Sequence, residues 1–184
     1  MKYKHPTLYF CLATYGRTIA GNFMCMLTSL TILMLFNNWI GKTVAQTLCL
    51  LIYGAIIYGS MWKEGDRDRN KVQFGKRKYN PWKGFLTGLV VLIPAGLWNL
   101  LLLLSKVTEA FNFLPVYKLL TSQFWVIINQ FTTANVDTVS WWNYLLFCAL
   151  HLFVPLVGYV SYRIGYKGLK ISEKIVYVEK EPKE

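Results

Sequence analysis

Long apolar stretches separated by short polar ones dominate this chain. Four of them, residues 18–36, 44–62, 84–104 and 141–162, run for 19 to 22 positions each without a Lys, Arg, Asp or Glu. A helix rising 1.5 Å per residue needs about 20 residues to cross roughly 30 Å of hydrocarbon, so each stretch predicts a transmembrane helix. Trp39, Trp62, Trp82, Trp141 and Trp142 stand at the ends of these stretches, where amphipathic rings prefer headgroup depth. Asn80 and Pro81 supply an N-cap and a first-turn proline for the third.

The gap at 105–140 is long enough to hold a further helix. On a wheel of about 100° per residue, Val116, Tyr117, Leu120, Phe124, Ile127, Ile128 and Phe131 share one arc of about 120°. Lys118, Ser122 and Asn129 lie opposite, and Pro115 suits a first turn. The pattern predicts an amphipathic helix over 116–131, lying in the outer interface or tucked onto the bundle. The expected fold class is therefore an all-α integral membrane protein. It is one membrane domain over residues 1–184, a bundle of four transmembrane helices with both termini cytoplasmic and an amphipathic helix in its outer loop.

Composition removes the soluble alternatives. Of 184 residues 54% are hydrophobic, and the mean hydropathy is +0.33, too apolar for an ordinary soluble domain. Twenty basic residues oppose nine acidic ones, for a net charge of +11. A soluble nucleic-acid binder would spread that charge through a polar sequence, whereas here it sits in blocks between apolar runs. Counted by gap from the N-terminus, Lys and Arg number three, one, eight, two and six, so alternate gaps hold 17 against 3. The positive-inside rule then puts both termini and the 63–83 loop in the cytoplasm, as suits a bacterial plasma membrane. A fifth span at 116–131 would export the basic tail. The N-terminus reads as retained rather than as a cleaved signal, because Arg17 interrupts the first apolar run and no small-x-small site ends the next.

Candidate chemistry is sparse. Cys11, Cys25, Cys49 and Cys148 lie in apolar surroundings without CxxC or nearby His spacing, so neither a disulfide framework nor a metal site is expected. No nucleophile elbow, phosphate-binding glycine loop or HExxH motif occurs, and no catalytic residue, cofactor or metal is assigned. His151, near the middle of the fourth stretch, is the candidate for a ligand or proton path, because an ionisable group there is costly. Thr28, Ser29, Thr31 and Tyr53 fall at similar depth, and Asn99 belongs to the same set of polar groups. Pro155 and Pro94 would free the His151 and Val90 carbonyls for another donor. The plainer reading makes His151, Asn22 and Asn99 hydrogen-bonding glue between helices. Gly84, Gly88, Gly54 and Ala55 are helix-packing signals.

The 63–83 loop carries a net +5, with Arg67, Arg69, Lys71, Lys76, Arg77 and Lys78 as candidates for docking anionic lipid headgroups or a protein partner. Asp66, Asp68 and Asn70 imitate a calcium loop, but Lys71 and Arg77 occupy its glycine and glutamate positions. The acidic pair is read as structural, and nucleic acid is not an expected partner. Residues 72–74 and 175–178 are β-prone and are expected to pack together as a small cap. Residues 58–65 echo 159–165 faintly, as two parallel hairpin repeats would. Three functional classes remain. They are a non-catalytic subunit or accessory protein of a membrane complex, a small transport or permeation protein acting as an oligomer or with an energising partner, and an enzyme on a lipid substrate.

Overall fold

In a computed structural model, which describes residues 6–76 and 78–169, every regular element is helical. Helices α1 (Pro6–Leu35) and α2 (Trp39–Gln73) form a long hairpin, closed by Asn38, whose side chain accepts the Gly41 N–H at 2.7 Å. The third apolar stretch forms α3 (Lys83–Val91) and α4 (Ile93–Thr108). They are bent by 43° at the break before Pro94, where the proline lacks the N–H that would continue the ladder. The fourth forms α7 (Trp141–Leu150) and α8 (Phe153–Tyr166) around a turn at His151 and Leu152. Leu8–Leu35, Trp39–Gln73 and Trp141–Tyr166 are each long and apolar enough to cross a membrane, and α3 with α4 makes a fourth if the bent pair is one span. Side chains that face outward along them, such as Phe23, Leu51, Leu97 and Leu156, are large, apolar and exposed.

Three expectations need correction. First, α1 begins at Pro6 and passes straight through Arg17. The guanidinium does not end the helix, because it donates to Ser60 Oγ at 3.0 Å along a groove that also holds Lys63. Asn22, the fifth residue of the 18–36 stretch, is therefore close to the middle of α1. Second, α2 runs on through residues 63–73, and the β-prone stretch at 72–74 is the last turn and cap of a helix. Ion pairs one turn apart hold that end: Arg67 with Glu64 (3.1 Å), Arg69 with Asp66 (2.8 Å) and Lys71 with Asp68 (3.6 Å). The proposed strand partner at 175–178 lies outside the described residues. Third, the 116–131 helix is two helices, α5 (Leu114–Leu120) and α6 (Trp125–Phe131), joined by a 3-10 turn at Ser122–Phe124. The break at Thr121 resets the helical phase. Tyr117, Phe124 and Ile128 are buried as the wheel requires, but Lys118 and Ser122 are buried too, and Val116 and Phe131 are exposed.

The carbonyls opposite the prolines do not stay open. Val154 N–H takes the His151 carbonyl at 3.2 Å, and Leu92 N–H closes the end of α3 on the Val90, Leu89 and Gly88 carbonyls.

Packing is closest where glycines let backbones touch. A Cβ on Gly65 would run into the Tyr162 carbonyl, and one on Gly165 into the Trp62 carbonyl. Each glycine thus faces the carbonyl three residues before the other, so the two echoing segments meet at a reciprocal crossing of α2 and α8. Along α3, a Cβ on Gly84 would lie 2.5 Å from the Gly158 oxygen and one on Gly88 2.5 Å from Pro155 Cα. Small residues at these positions are what lets helix backbones approach. Elsewhere α1 and α2 are pinned by Cys25 and Cys49, whose thiols donate to each other's carbonyls at 3.3 and 3.4 Å. One apolar core, around Tyr53, Ile57, Met61 and Val154, fills the α1–α2–α3–α8 side, and a second, around Leu102, Tyr117, Phe124 and Phe147, fixes α5 and α6 to α4 and α7.

Candidate functional site

Lys42 and Lys63 bracket the apolar part of α2, and Lys83 and Lys106 bracket α3 with α4. Tyr53 and Ala95 stand midway between those pairs, and both line one small enclosed chamber of about 20 Å³. Thr18 and Asn22 reach it from α1, Trp98 from α4, Gln123 from the 3-10 turn and His151 from the turn after α7.

The 3-10 turn is held at the chamber by the backbone and side chains of α1 and α2. Asn22 Nδ2 donates to the Leu120 carbonyl (3.0 Å), Ser122 Oγ to the Asn22 carbonyl (2.5 Å) and Gln46 Nε2 to the Gln123 carbonyl (2.9 Å). A turn that leaves the α5 and α6 ladders has carbonyls to satisfy, and in an apolar bundle only neighbouring helices can do it. His151 is 5% exposed, and its Nδ1 donates to the Phe147 carbonyl at 2.8 Å. Its ring packs edge-on against Phe124, with centroids 5.7 Å apart. Farther along the same loop, Lys118 is buried and donates to the Thr133 carbonyl at 2.5 Å, and Lys106 donates to the Val139 carbonyl. Burial pulls the Lys118 ammonium below its ordinary value.

Of the residues expected to share a ligand or proton path, the structure brings only His151 and Tyr53 to the chamber. Asn99 is apart from it, with its Oδ1 accepting from Tyr117 OH at 2.8 Å and its carbonyl accepting from Tyr144 OH at 3.3 Å. Ser29 is buried against Cys49 Sγ at 3.1 Å. Thr28 and Thr31 donate to the Met24 and Leu27 carbonyls of their own helix, and Thr31 is exposed. Gln123 and Thr18 were missed. A polar residue in the 105–140 loop gives no sign in the sequence that the loop folds onto the bundle.

A second cluster lies at the basic end of the bundle. Lys83 Nζ donates to Glu64 Oε1 at 2.6 Å and to Asp68 Oδ2 at 2.5 Å, and Tyr162 OH donates to the same Asp68 oxygen at 3.0 Å. All three charged residues are buried. Glu64 and Asp68 are one turn apart and point inward from α2, so Lys63, Arg67 and Asn70 take the exposed face. Lys76 and Lys78 are exposed beyond the helix, whereas Arg69 and Lys71 are half-buried in their own ion pairs. Arg77 lies outside the described residues. The chain matches no family model, no curated protein and no solved structure.

Proposed function

We propose that the chain is a four-span protein of a bacterial plasma membrane, with both termini and the 63–83 segment in the cytoplasm. It serves as a non-catalytic subunit or accessory protein of a membrane complex. The observation that carries the reading is the sorting of charge on α2. Its inward carboxylates are paired with Lys83, and its outward face offers Lys63 and the largely exposed Arg67, which reaches back to Glu64, with Lys76 and Lys78 exposed past the helix end at Gln73. At 35 residues α2 is about 52 Å long, well beyond a hydrocarbon core of about 30 Å, so its basic end projects past the headgroups. Such a face suits an acidic protein surface. The groove of Arg17, Ser60 and Lys63 beside it suits anionic lipid headgroups, each basic group contributing about 1 kcal/mol.

Purification in mild detergent, followed by mass spectrometry, tests this. Wild type is expected to carry a stoichiometric protein partner that is lost from the Lys63→Glu/Arg67→Glu variant, with the variant still folded. The same proteins on both preparations, or none on either, overturn the reading. Single cysteines at Lys76 and Asp137 are expected to label from opposite sides of the membrane. A second reading, a transport protein acting as an oligomer or with an energising partner, is favoured by the polar chamber midway along the helices. Under it His151→Leu abolishes transport, whereas under the first reading the same variant still assembles and works.

A further inference from the structure

Three residues that line the chamber have buried acceptors without a donor among the described residues. A carbonyl only accepts, so the 2.8 Å contact with Phe147 fixes the proton of His151 on Nδ1 and leaves a lone pair on Nε2. Asn22 is oriented in the same way, because its Nδ2 donates to the Leu120 carbonyl and its Oδ1 is left over. His151 Nε2, Asn22 Oδ1 and Gln123 Oε1 are all buried, and none has a partner among the described residues. A buried unsatisfied acceptor costs about 1–3 kcal/mol, and here three belong to residues lining one space. At about 20 Å³ that space admits one water-sized group.

A second cavity adjoins it. A groove of about 320 Å³, within the general range of ligand sites, runs between α1 and the α4–α5 side. It shares Tyr15, Ile19, Asn22 and Trp98 with the chamber. Its other walls include Phe23, Met26 and Leu119, and Ile19, Phe23 and Leu119 are exposed on the flank of the bundle, where lipid would lie. A water alone would serve the chamber, but it would give no account of an apolar groove that shares Asn22 with it. No Asp or Glu lines either cavity, so a cationic head would be buried without a counter-charge.

We infer that this is a binding site for a neutral long-chain alcohol taken from the bilayer. The alkyl chain lies in the groove, and the hydroxyl donates to Asn22 Oδ1. One water in the chamber donates to His151 Nε2 and Gln123 Oε1, so the three acceptors receive three protons. The inference is independent of the docking face on α2.

The test uses the full chain in phosphatidylcholine nanodiscs with a diazirine-bearing dodecanol, and the methyl ether of the same probe as control. Crosslinked peptides are mapped by mass spectrometry. The alcohol is expected to label residues 19–26 and 119–122, competed by unlabelled dodecanol. The ether, having no proton to donate, should label about ten-fold less, the value of one to two hydrogen bonds. Asn22→Leu with His151→Phe should remove the difference between the two probes. Wild type also serves as its own control, so a variant that fails to fold does not decide the matter. Equal labelling by alcohol and ether, or labelling spread over all lipid-facing helices, overturns the inference.

Discussion

Removing the ammonium of Lys83 probes the tightest polar contact at the basic end. In wild type it sits between two carboxylates at 2.6 and 2.5 Å, and the side chains of Lys83, Glu64 and Asp68 are 9%, 7% and 4% exposed. Lys83→Met leaves both carboxylates buried. Breaking a buried ion pair from one side costs about 3–5 kcal/mol, because the remaining charge is stranded rather than because the pair itself is strong. Arg67 still reaches Glu64 from a side chain 63% exposed, Lys71 stands 3.6 Å from Asp68, and Tyr162 keeps its bond to Asp68. These partial substitutes put the expected loss at the low end, about 3 kcal/mol or roughly a hundred-fold in the folding equilibrium. Reversible unfolding from dodecylmaltoside into SDS, followed by circular dichroism, measures it. The triple variant Lys83→Met/Glu64→Gln/Asp68→Asn removes the stranded charges with the cation and is expected to regain most of the loss. The reasoning fails if Lys83→Met costs under about 1 kcal/mol, or if the triple variant is no more stable than the single.

Four further outcomes are expected. Gly65→Ala drives a methyl into the Tyr162 carbonyl and should cost about 1–3 kcal/mol in the same unfolding assay. Gly16→Ala, where a Cβ meets open space, should be neutral or stabilise by up to about 1 kcal/mol. Ser122→Ala removes the bond to the Asn22 carbonyl, so amide hydrogen exchange over residues 122–128 should quicken by about ten-fold while the rest of the bundle is unchanged. Lys118 titrates lower in the folded chain than its ordinary 10.5, because burial disfavours the ammonium. The unfolded chain then binds more protons between those two values. Stability should rise with pH across that window, and Lys118→Met should flatten the rise.

The helices were legible because a lipid-facing surface demands uncharged residues for its whole length, and the four apolar stretches obey that rule. The boundaries were not. A single charge such as Arg17 reads as an end in the sequence, but its long side chain reaches Ser60 while the backbone continues, and this one difference moves Asn22 to mid-helix. The α5–α6 segment failed for another reason. One wheel was drawn through Thr121, where the helix breaks, and the polar arc it assigned to water includes the buried Lys118 and Ser122. His151 and Tyr53 were found through depth alone, but depth is blind to azimuth, and so Thr28 and Thr31 came with them. Lys83 was counted for its charge, and nothing nearby in the sequence shows that Glu64 and Asp68 lie one turn apart on the face it meets.

The reciprocal contact of Gly65 and Gly165 limits how the bundle can move. Side chains in a packed interface can exchange one arrangement for another, but two backbones in contact have no alternative to offer. With α3 held to α8 at Gly84 and Gly88 in the same manner, α2, α3 and α8 form a fixed post at the basic end. By contrast, α5 and α6 meet α1, α2 and α4 through side chains and a few carbonyl bonds. Contacts around α5 and α6 can therefore rearrange side chain by side chain, whereas α2, α3 and α8 can part only by separating their backbones.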